Sequence, residues 1–179
     1  MIEYKPKKLG YPVMAAVPSL WGNMPTLLED IIETFCVKTD LALEFGVFKG
    51  YSTSALAYYF KHVIGVDRFD WDEGDHYLSV MKSLINYRNI TLVNRSFEKY
   101  IQEPIFDRYD LIHIDIGYKI HDYETTFPCG EWAVQHSDCV IFHDTGSFPE
   151  VYRACEDLAN KYGKTFYNYP HDSGLGIIV

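Results

Sequence analysis

Two groups of residues in this chain have the types and spacing to do chemistry. The first runs Glu44-Phe-Gly46-Val-Phe48-Lys-Gly50-Tyr-Ser52 and is answered by Asp67. Glycines in a turn let the backbone bend sharply and approach a ligand closely, and the helix that follows offers unpaired N–H groups to an anion. An acid at the end of the next strand, about 20 residues on, can bind two ribose hydroxyls. Together these features fit a nucleoside-type cofactor. The dinucleotide fingerprint is G-x-G-x-x-G, and Phe48 stands where its second glycine would let the chain approach a pyrophosphate, which argues against NAD or FAD. No G-x-x-x-x-G-K-[ST] phosphate loop is present either. The second group is Asp115 with His143-Asp144, two acids and an imidazole able to take a proton from a reacting hydroxyl.

These residues need strands and helices to position them. From residue 41 onward the two patterns alternate, with strands expected at 41–46, 63–67, 90–94, 109–115, 138–143, 164–168 and 174–179. Helices are expected at 52–61, 73–87, 97–103, 121–135 and 149–162, the fourth broken or bent at Pro128 and Gly130. Residues 1–23 read as irregular because Pro6, Gly10, Pro12, Pro18 and Gly22 interrupt any period. Asn23 caps a helix bearing Leu27, Leu28, Ile31, Ile32 and Phe35 on one face. Buried runs such as Leu111-Ile-His-Ile and Cys139-Val-Ile-Phe suit a parallel sheet covered on both faces. The fold class is therefore α/β, a doubly wound three-layer sandwich (Rossmann-like) with a mostly parallel seven-stranded sheet. The link between the last two strands is too short for a crossover helix, so the C-terminal strand should be antiparallel. Ligands in such sheets bind beyond the carboxyl ends of the strands. Gly46, Asp67, Asn94, Asp115 and His143-Asp144 all end strands and should face one crevice. His113, between apolar neighbours, reads as a core histidine, and acids at 70–75 read as partners of a helix N-terminus rather than a calcium loop.

A ligand with one small carboxylate, no phosphate and positive groups to meet Glu44 suits this turn, and S-adenosylmethionine has that profile. Read as E-x-G-V-x-x-G-x-S-T, residues 44–53 resemble motif I of the class I S-adenosylmethionine-dependent methyltransferases. The likeness is closest to a subgroup including macrocin-type sugar O-methyltransferases and cephalosporin-hydroxylase-like proteins, and His143-Asp-Thr145 resembles the "HDT" of that subgroup. The resemblance spans roughly residues 40–179. It implies cofactor contacts from Glu44, Gly46, Phe48, Gly50, Ser52, Asp67, Ser96 and Asp115, with Asn94-Arg-Ser96 bordering the adenine; Ser96 equally fits a helix N-cap. It also implies a divalent metal (Mg²⁺ or Mn²⁺) held by Asp115, His143 and Asp144. The imidazole in that set favours Mn²⁺ or a softer ion over Mg²⁺. Without a metal, Asp144 or His143 serves as general base. The subgroup's D-G-D-H-x-Y is stretched here to Asp115-Ile-Gly-Tyr-Lys-Ile-His121, with Gly117 in place of the second acid, so His121 or Lys119 is a further candidate base. The implied activity is O-methylation of a small hydroxylated molecule, a sugar or secondary metabolite. A non-catalytic nucleoside-binding domain and a metal- or NAD-dependent oxidoreductase are the alternatives.

Composition agrees with a single domain of 179 residues, 47% hydrophobic and 23% charged. A formal net charge of −9 repels a phosphate backbone, so no nucleic-acid partner is expected. No apolar stretch approaches the ~20 residues of a membrane span, no signal peptide is visible, and a cytoplasmic protein able to form a homodimer is the expectation. Cys36, Cys129, Cys139 and Cys155 form no C-x-x-C pair and read as buried, reduced packing residues.

Overall fold

The computed structural model describes residues 1–7, 24–117 and 122–179. Its elements, in chain order, are β1 (Ile2–Glu3), α1 (Met24–Phe35), β2 (Leu41–Phe45), α2 (Tyr51–Tyr59), β3 (His62–Asp67), α3 (Tyr77–Ser83), β4 (Ile90–Asn94), α4 (Phe97–Tyr100), β5 (Leu111–Ile114), α5 (Tyr123–His136), β6 (Val140–His143), α6 (Pro149–Tyr162), β7 (Phe166–Tyr169) and β8 (Leu175–Ile178). The strands form one sheet in the order β1-β7-β8-β6-β5-β2-β3-β4. All pairs are parallel except those of β8, which runs antiparallel to both β6 and β7. The order thus reverses between β2 and β5, the topological switch point where open α/β sheets bind ligands.

Strand alternation divides the apolar residues between two layers. Leu43, Phe45, Ile112 and Ile114 face α5 and α6, where Cys129, Ala133, Val151, Cys155 and Leu158 cover them. Ala42, Leu111, Val63 and Ile141 face α1 and α2, where Met24, Leu27, Leu28, Ile31, Ala55 and Leu56 do so. α3 adds a smaller cluster, closing Val80 and Leu84 over Val47 and Phe69 at the rim of the crevice.

The sheet has eight strands, not seven. Ile2–Glu3 adds to the edge of β7, in register with Tyr167 and Asn168. Its anchor is side-chain chemistry: buried Asp30 of α1 accepts from the Tyr4 hydroxyl (2.5 Å) and the Lys7 backbone N–H (2.9 Å). A two-residue strand has no period to read, so the partner edge decides it. Nor does α5 break. Pro128 lies inside a continuous helix, and Gly130 lets that helix pack closely against Phe142 of β6 and Leu158 of α6. A Cβ there would stand 2.5 Å from Leu158 Cδ1 and 2.8 Å from Phe142 Cζ. α3 is shorter than 73–87 because a 3₁₀ turn at Trp71–Glu73 and Gly74 precede it, and the Asp75 carboxylate accepts the Tyr77 N–H at 3.0 Å. α4 likewise stops at Tyr100. Cys129, Cys139 and Cys155 are buried thiols as expected, whereas Cys36, just beyond α1, is exposed. The expected cap at Asn23 lies outside the described residues.

Candidate functional site

The carboxyl ends of β3, β2, β5 and β6 lie side by side, and the turn after β2 is the tightest point among them. Gly46 donates its N–H to the Val66 carbonyl of β3 (2.9 Å), while Asp115 N–H donates back to the Phe45 carbonyl (2.8 Å). Gly46 has φ +90°, and a Cβ on it would lie 1.9 Å from the Asp115 carbonyl oxygen. The absent side chain is therefore what lets β2 and β5 end together. Gly50, at φ +88°, is the N-cap of α2, and its N–H returns to the Val47 carbonyl at 2.8 Å. Between them Phe48 takes a left-handed φ of +48°, a conformation that costs a residue with a Cβ about 1 kcal/mol. Its ring is 41% exposed, 4.9 Å from the Trp71 ring and 5.1 Å from the Lys49 ammonium. Ser52 is buried in the first turn of α2.

Asp67 accounts for how that turn holds its shape. One carboxylate oxygen accepts from Val47 and Phe48 N–H, both at 2.8 Å, and the other accepts from Phe69 N–H at 2.8 Å. The strand-end acid clasps the turn, and its second oxygen, with one bond accepted, retains further acceptor capacity. Replacing Asp67 with Ala strands three donors and should cost about 2 kcal/mol of stability. Asn should do little better, because one side of its amide presents hydrogens to hydrogens. Urea unfolding of the two variants checks this, and an Asn variant as stable as the parent would refute the clasp.

Glu44 does not reach the crevice surface. It is fully buried in β2, where it accepts from the Thr53 hydroxyl of α2 and lies 2.9 Å from His113 Nδ1. Asn94 ends β4, exposed, while the next N–H, of Arg95, donates to the Asp67 carbonyl at 2.9 Å. Ser96 occupies the N-cap position of α4 but its side chain makes no cap hydrogen bond.

Asp115, His143 and Asp144 come together, their ligand atoms all within 4.8 Å of one another. His143 Nδ1 is 3.4 Å from Asp115 Oδ2 and 3.3 Å from Asp144 Oδ1. Burial disfavours the imidazolium, yet hydrogen bonding and attraction to Asp115 and Asp144 outweigh it and hold the pKa up at about 10. Asp144 has φ +69°, and its surroundings enforce that strain. Its N–H donates to the Gly174 carbonyl (3.0 Å), Phe148 N–H donates to its carbonyl (2.9 Å), and Gly146 N–H donates to the Ser173 carbonyl (2.8 Å). Thr145 hydroxyl donates to Asn168 Oδ1 at 2.7 Å. A small cavity opens here, lined by Asp115, His143 and Thr126 with Ile114, Phe142 and Val151. His121 and Lys119 lie outside the described residues. Among the described residues no cysteine belongs to this cluster, and burial pushes the Cys139 thiol up to about 12 and those of Cys129 and Cys155 well above the ordinary value.

His113 is the core histidine that its apolar neighbours imply, and Glu44 is its partner, a pairing not read from the sequence. The signal was present as one polar residue in each of two central apolar strands, Leu-Ala-Leu-Glu-Phe and Leu-Ile-His-Ile, since buried charges must pair.

No protein-family model matches the chain and no curated protein matches it, but solved structures do. The O-methyltransferase NovP superposes with a TM-score of 0.66 at 16% identity, over 86% of this chain and 76% of that one. The O-methyltransferase TomG from Streptomyces achromogenes, involved in tomaymycin synthesis and solved with S-adenosylmethionine, gives 0.62 at 13% identity, over 90% and 81%. Ribosomal protein L11 methylase from Lactobacillus delbrueckii subsp. bulgaricus gives 0.60 at 18% identity, over 87% and 75%. With its parallel sheet and antiparallel β8, the chain has the fold of the class I S-adenosylmethionine-dependent methyltransferases.

Proposed function

We propose that this protein is an S-adenosylmethionine-dependent methyltransferase that methylates a hydroxyl of a small molecule, a sugar or secondary metabolite. The observation that carries the reading is the junction of the Gly46–Gly50 turn with Asp115 at the switch point, beside His143 and Asp144. A turn clasped by Asp67 and built without a pyrophosphate-binding glycine suits a cofactor that has a ribose but no phosphate. The Asp115–His143–Asp144 group, at the neighbouring strand ends, would receive the acceptor hydroxyl.

In the reaction the acceptor oxygen attacks the methyl carbon in line with the carbon–sulfur bond. The bonding electrons remain on sulfur, leaving S-adenosylhomocysteine, and the hydroxyl proton passes to the protein. Much of the acceleration comes from holding the two reactants in line. Asp144 is the proposed base, with His143 bridging it to Asp115 and so fixing both carboxylates. The same three side chains, two carboxylates and an imidazole with ligand atoms all within 4.8 Å of one another, could hold a divalent cation, and the imidazole favours Mn²⁺ over Mg²⁺. A cation bound there would lower the pKa of a coordinated hydroxyl. The fold is also that of a ribosomal-protein methylase, so it does not name the acceptor. The net charge of −9 stands against a nucleic-acid acceptor, and the likeness of motif I to sugar O-methyltransferases supports a small one.

Calorimetry with S-adenosylmethionine, S-adenosylhomocysteine and NAD tests the reading. Both S-adenosyl compounds should bind, and NAD should bind at least about 100-fold more weakly, a gap of about 2.7 kcal/mol. Tighter NAD binding, or no binding of either S-adenosyl compound, would overturn it.

A further inference from the structure

β4 closes one end of the sheet and pairs only with β3. The Asn89 carbonyl accepts from Val63 N–H (2.8 Å) and Arg95 N–H donates to the Asp67 carbonyl (2.9 Å). The backbone groups of Ile90, Leu92 and Asn94, which alternate with these along the strand, therefore face outward. Such an edge is a template for a further strand, and folds blunt it with shortness, charge or proline. The opposite edge is blunted in all three ways: β1 has two residues, its Glu3 pairs with Lys5 at 3.7 Å, and Pro6 follows. β4 is five residues long, Ile-Thr-Leu-Val-Asn, with neither charge nor proline.

α3 extends this open edge. Val80 and Leu84 face inward, and the Tyr77 hydroxyl donates to the Leu92 carbonyl at a long 3.4 Å, which sets the Tyr77 flank of the helix towards the outer side of β4. On the helical period the same flank carries Leu78, Met81 and, in the turn that follows, Ile85, which are 60%, 43% and 74% exposed. A contiguous exposed apolar strip marks an interaction surface. Charge says what fits it. Exposed Asp75 stands before the helix, whereas from His76 to Phe97 the chain has only basic charges, with Lys82 and Arg88 exposed. The surface is acidic at one end, apolar in the middle and basic at the other, so it complements itself when turned end for end.

We propose that this surface binds a second copy of the chain about a two-fold axis. The axis lays α3 of one copy antiparallel to α3 of the other, joining the apolar strips and setting Asp75 of each copy towards Arg88 of the second copy. The same symmetry turns the two open β4 edges towards each other, antiparallel. A contact of one patch with itself is closed and stops at a dimer. α3 also closes Val80 and Leu84 over Val47 and Phe69 at the rim of the crevice, so the contact braces the helix behind the Gly46–Gly50 turn. Association needs no ligand and does not depend on the methyltransferase reading.

Sedimentation equilibrium on the full chain tests it. At about 50 μM, within the range of standard-sized interfaces, the parent should have twice the 20.8 kDa mass of one chain. Ile85→Asp, which buries a carboxylate against the apolar strip in both halves, should raise the dissociation constant at least about 100-fold. Arg88→Glu sets like charges together and should raise it about tenfold. Asp75→Arg combined with Arg88→Glu restores opposite charges and should recover most of the parent's affinity. Circular dichroism reports whether each variant is folded, and Arg88→Glu with its rescue decides the matter if Ile85→Asp does not fold. A monomeric parent overturns the proposal, and one that instead sediments with anionic phospholipid vesicles assigns the strip to a membrane surface. A dimer that Ile85→Asp and Arg88→Glu leave intact overturns it too, as does a loss in Arg88→Glu that Asp75→Arg fails to repair.

Discussion

Replacing Gly46 with Ala should destabilise the protein by at least about 3 kcal/mol and abolish cofactor binding. Two costs combine at this position. A φ of +90° is one that L residues rarely adopt, which alone costs about 1–2 kcal/mol. The larger cost is steric: a Cβ would sit 1.9 Å from the Asp115 carbonyl oxygen and 2.5 Å from its carbon. Those are backbone atoms of a central strand, which cannot turn aside as the end of a flexible side chain can. Relief requires β5 to separate from β2, and that breaks the hydrogen bond from Asp115 N–H to the Phe45 carbonyl. It also moves Asp115 relative to the turn. Gly163 supplies the control, since it too has a positive φ (+63°) but nothing within 4 Å of its would-be Cβ. Gly163→Ala should therefore cost only about 1 kcal/mol and leave cofactor binding unchanged. Urea unfolding and calorimetry on the two variants make the comparison, and equal losses would show that backbone conformation, not the approach of β5, makes Gly46 necessary.

Gly46 also shows what local sequence reports and what it does not. A glycine at the end of an apolar strand, ahead of a helix, marks a turn of unusual geometry. The sequence reads that glycine as letting the backbone bend sharply and approach a ligand; the structure shows the sharp turn and sets against it the backbone of Asp115, a partner 69 positions away along the chain. Asp67 was legible as a strand-end acid because β3 has a clear apolar period. Its hold on Val47 and Phe48 was not legible, since it depends on how the turn folds back. The parallel sheet and antiparallel closing pair could be read from run lengths and the short link between them. The edge strand Ile2–Glu3 could not, because its stability comes from β7 and from Asp30. Opposite charge and likeness of motif both put Glu44 at the cofactor. Period two places it inside the sheet, on the α2 side with Ala42, where only a cross-strand partner such as His113 makes burial tolerable.

Asp144→Asn should reduce methyl transfer by at least about 100-fold while leaving the dissociation constant of S-adenosylmethionine within about threefold. The reasoning starts from what holds Asp144 in place. Its backbone is fixed by the Gly174 carbonyl and by Phe148 N–H, so the amide variant should keep the turn and change only the side chain. The expected loss is one of turnover and not of binding, since the cofactor turn at 46–50 hangs on Asp67 and on the β5 backbone. Asp115→Asn should behave differently. Asp115 stands at both the cofactor turn and the His143 cluster, so this variant should lose turnover and also bind S-adenosylmethionine more weakly. A metal role separates the two carboxylates from a simple base. With Mn²⁺ bound by all three donors, either Asn variant should weaken Mn²⁺ binding, read by electron paramagnetic resonance, and chelation should inactivate the parent protein. A base acting alone would leave the parent insensitive to chelator, with Asp144→Asn still inactive. Full activity in both Asn variants would remove the cluster from the chemistry altogether and leave the chain as a binder of the cofactor.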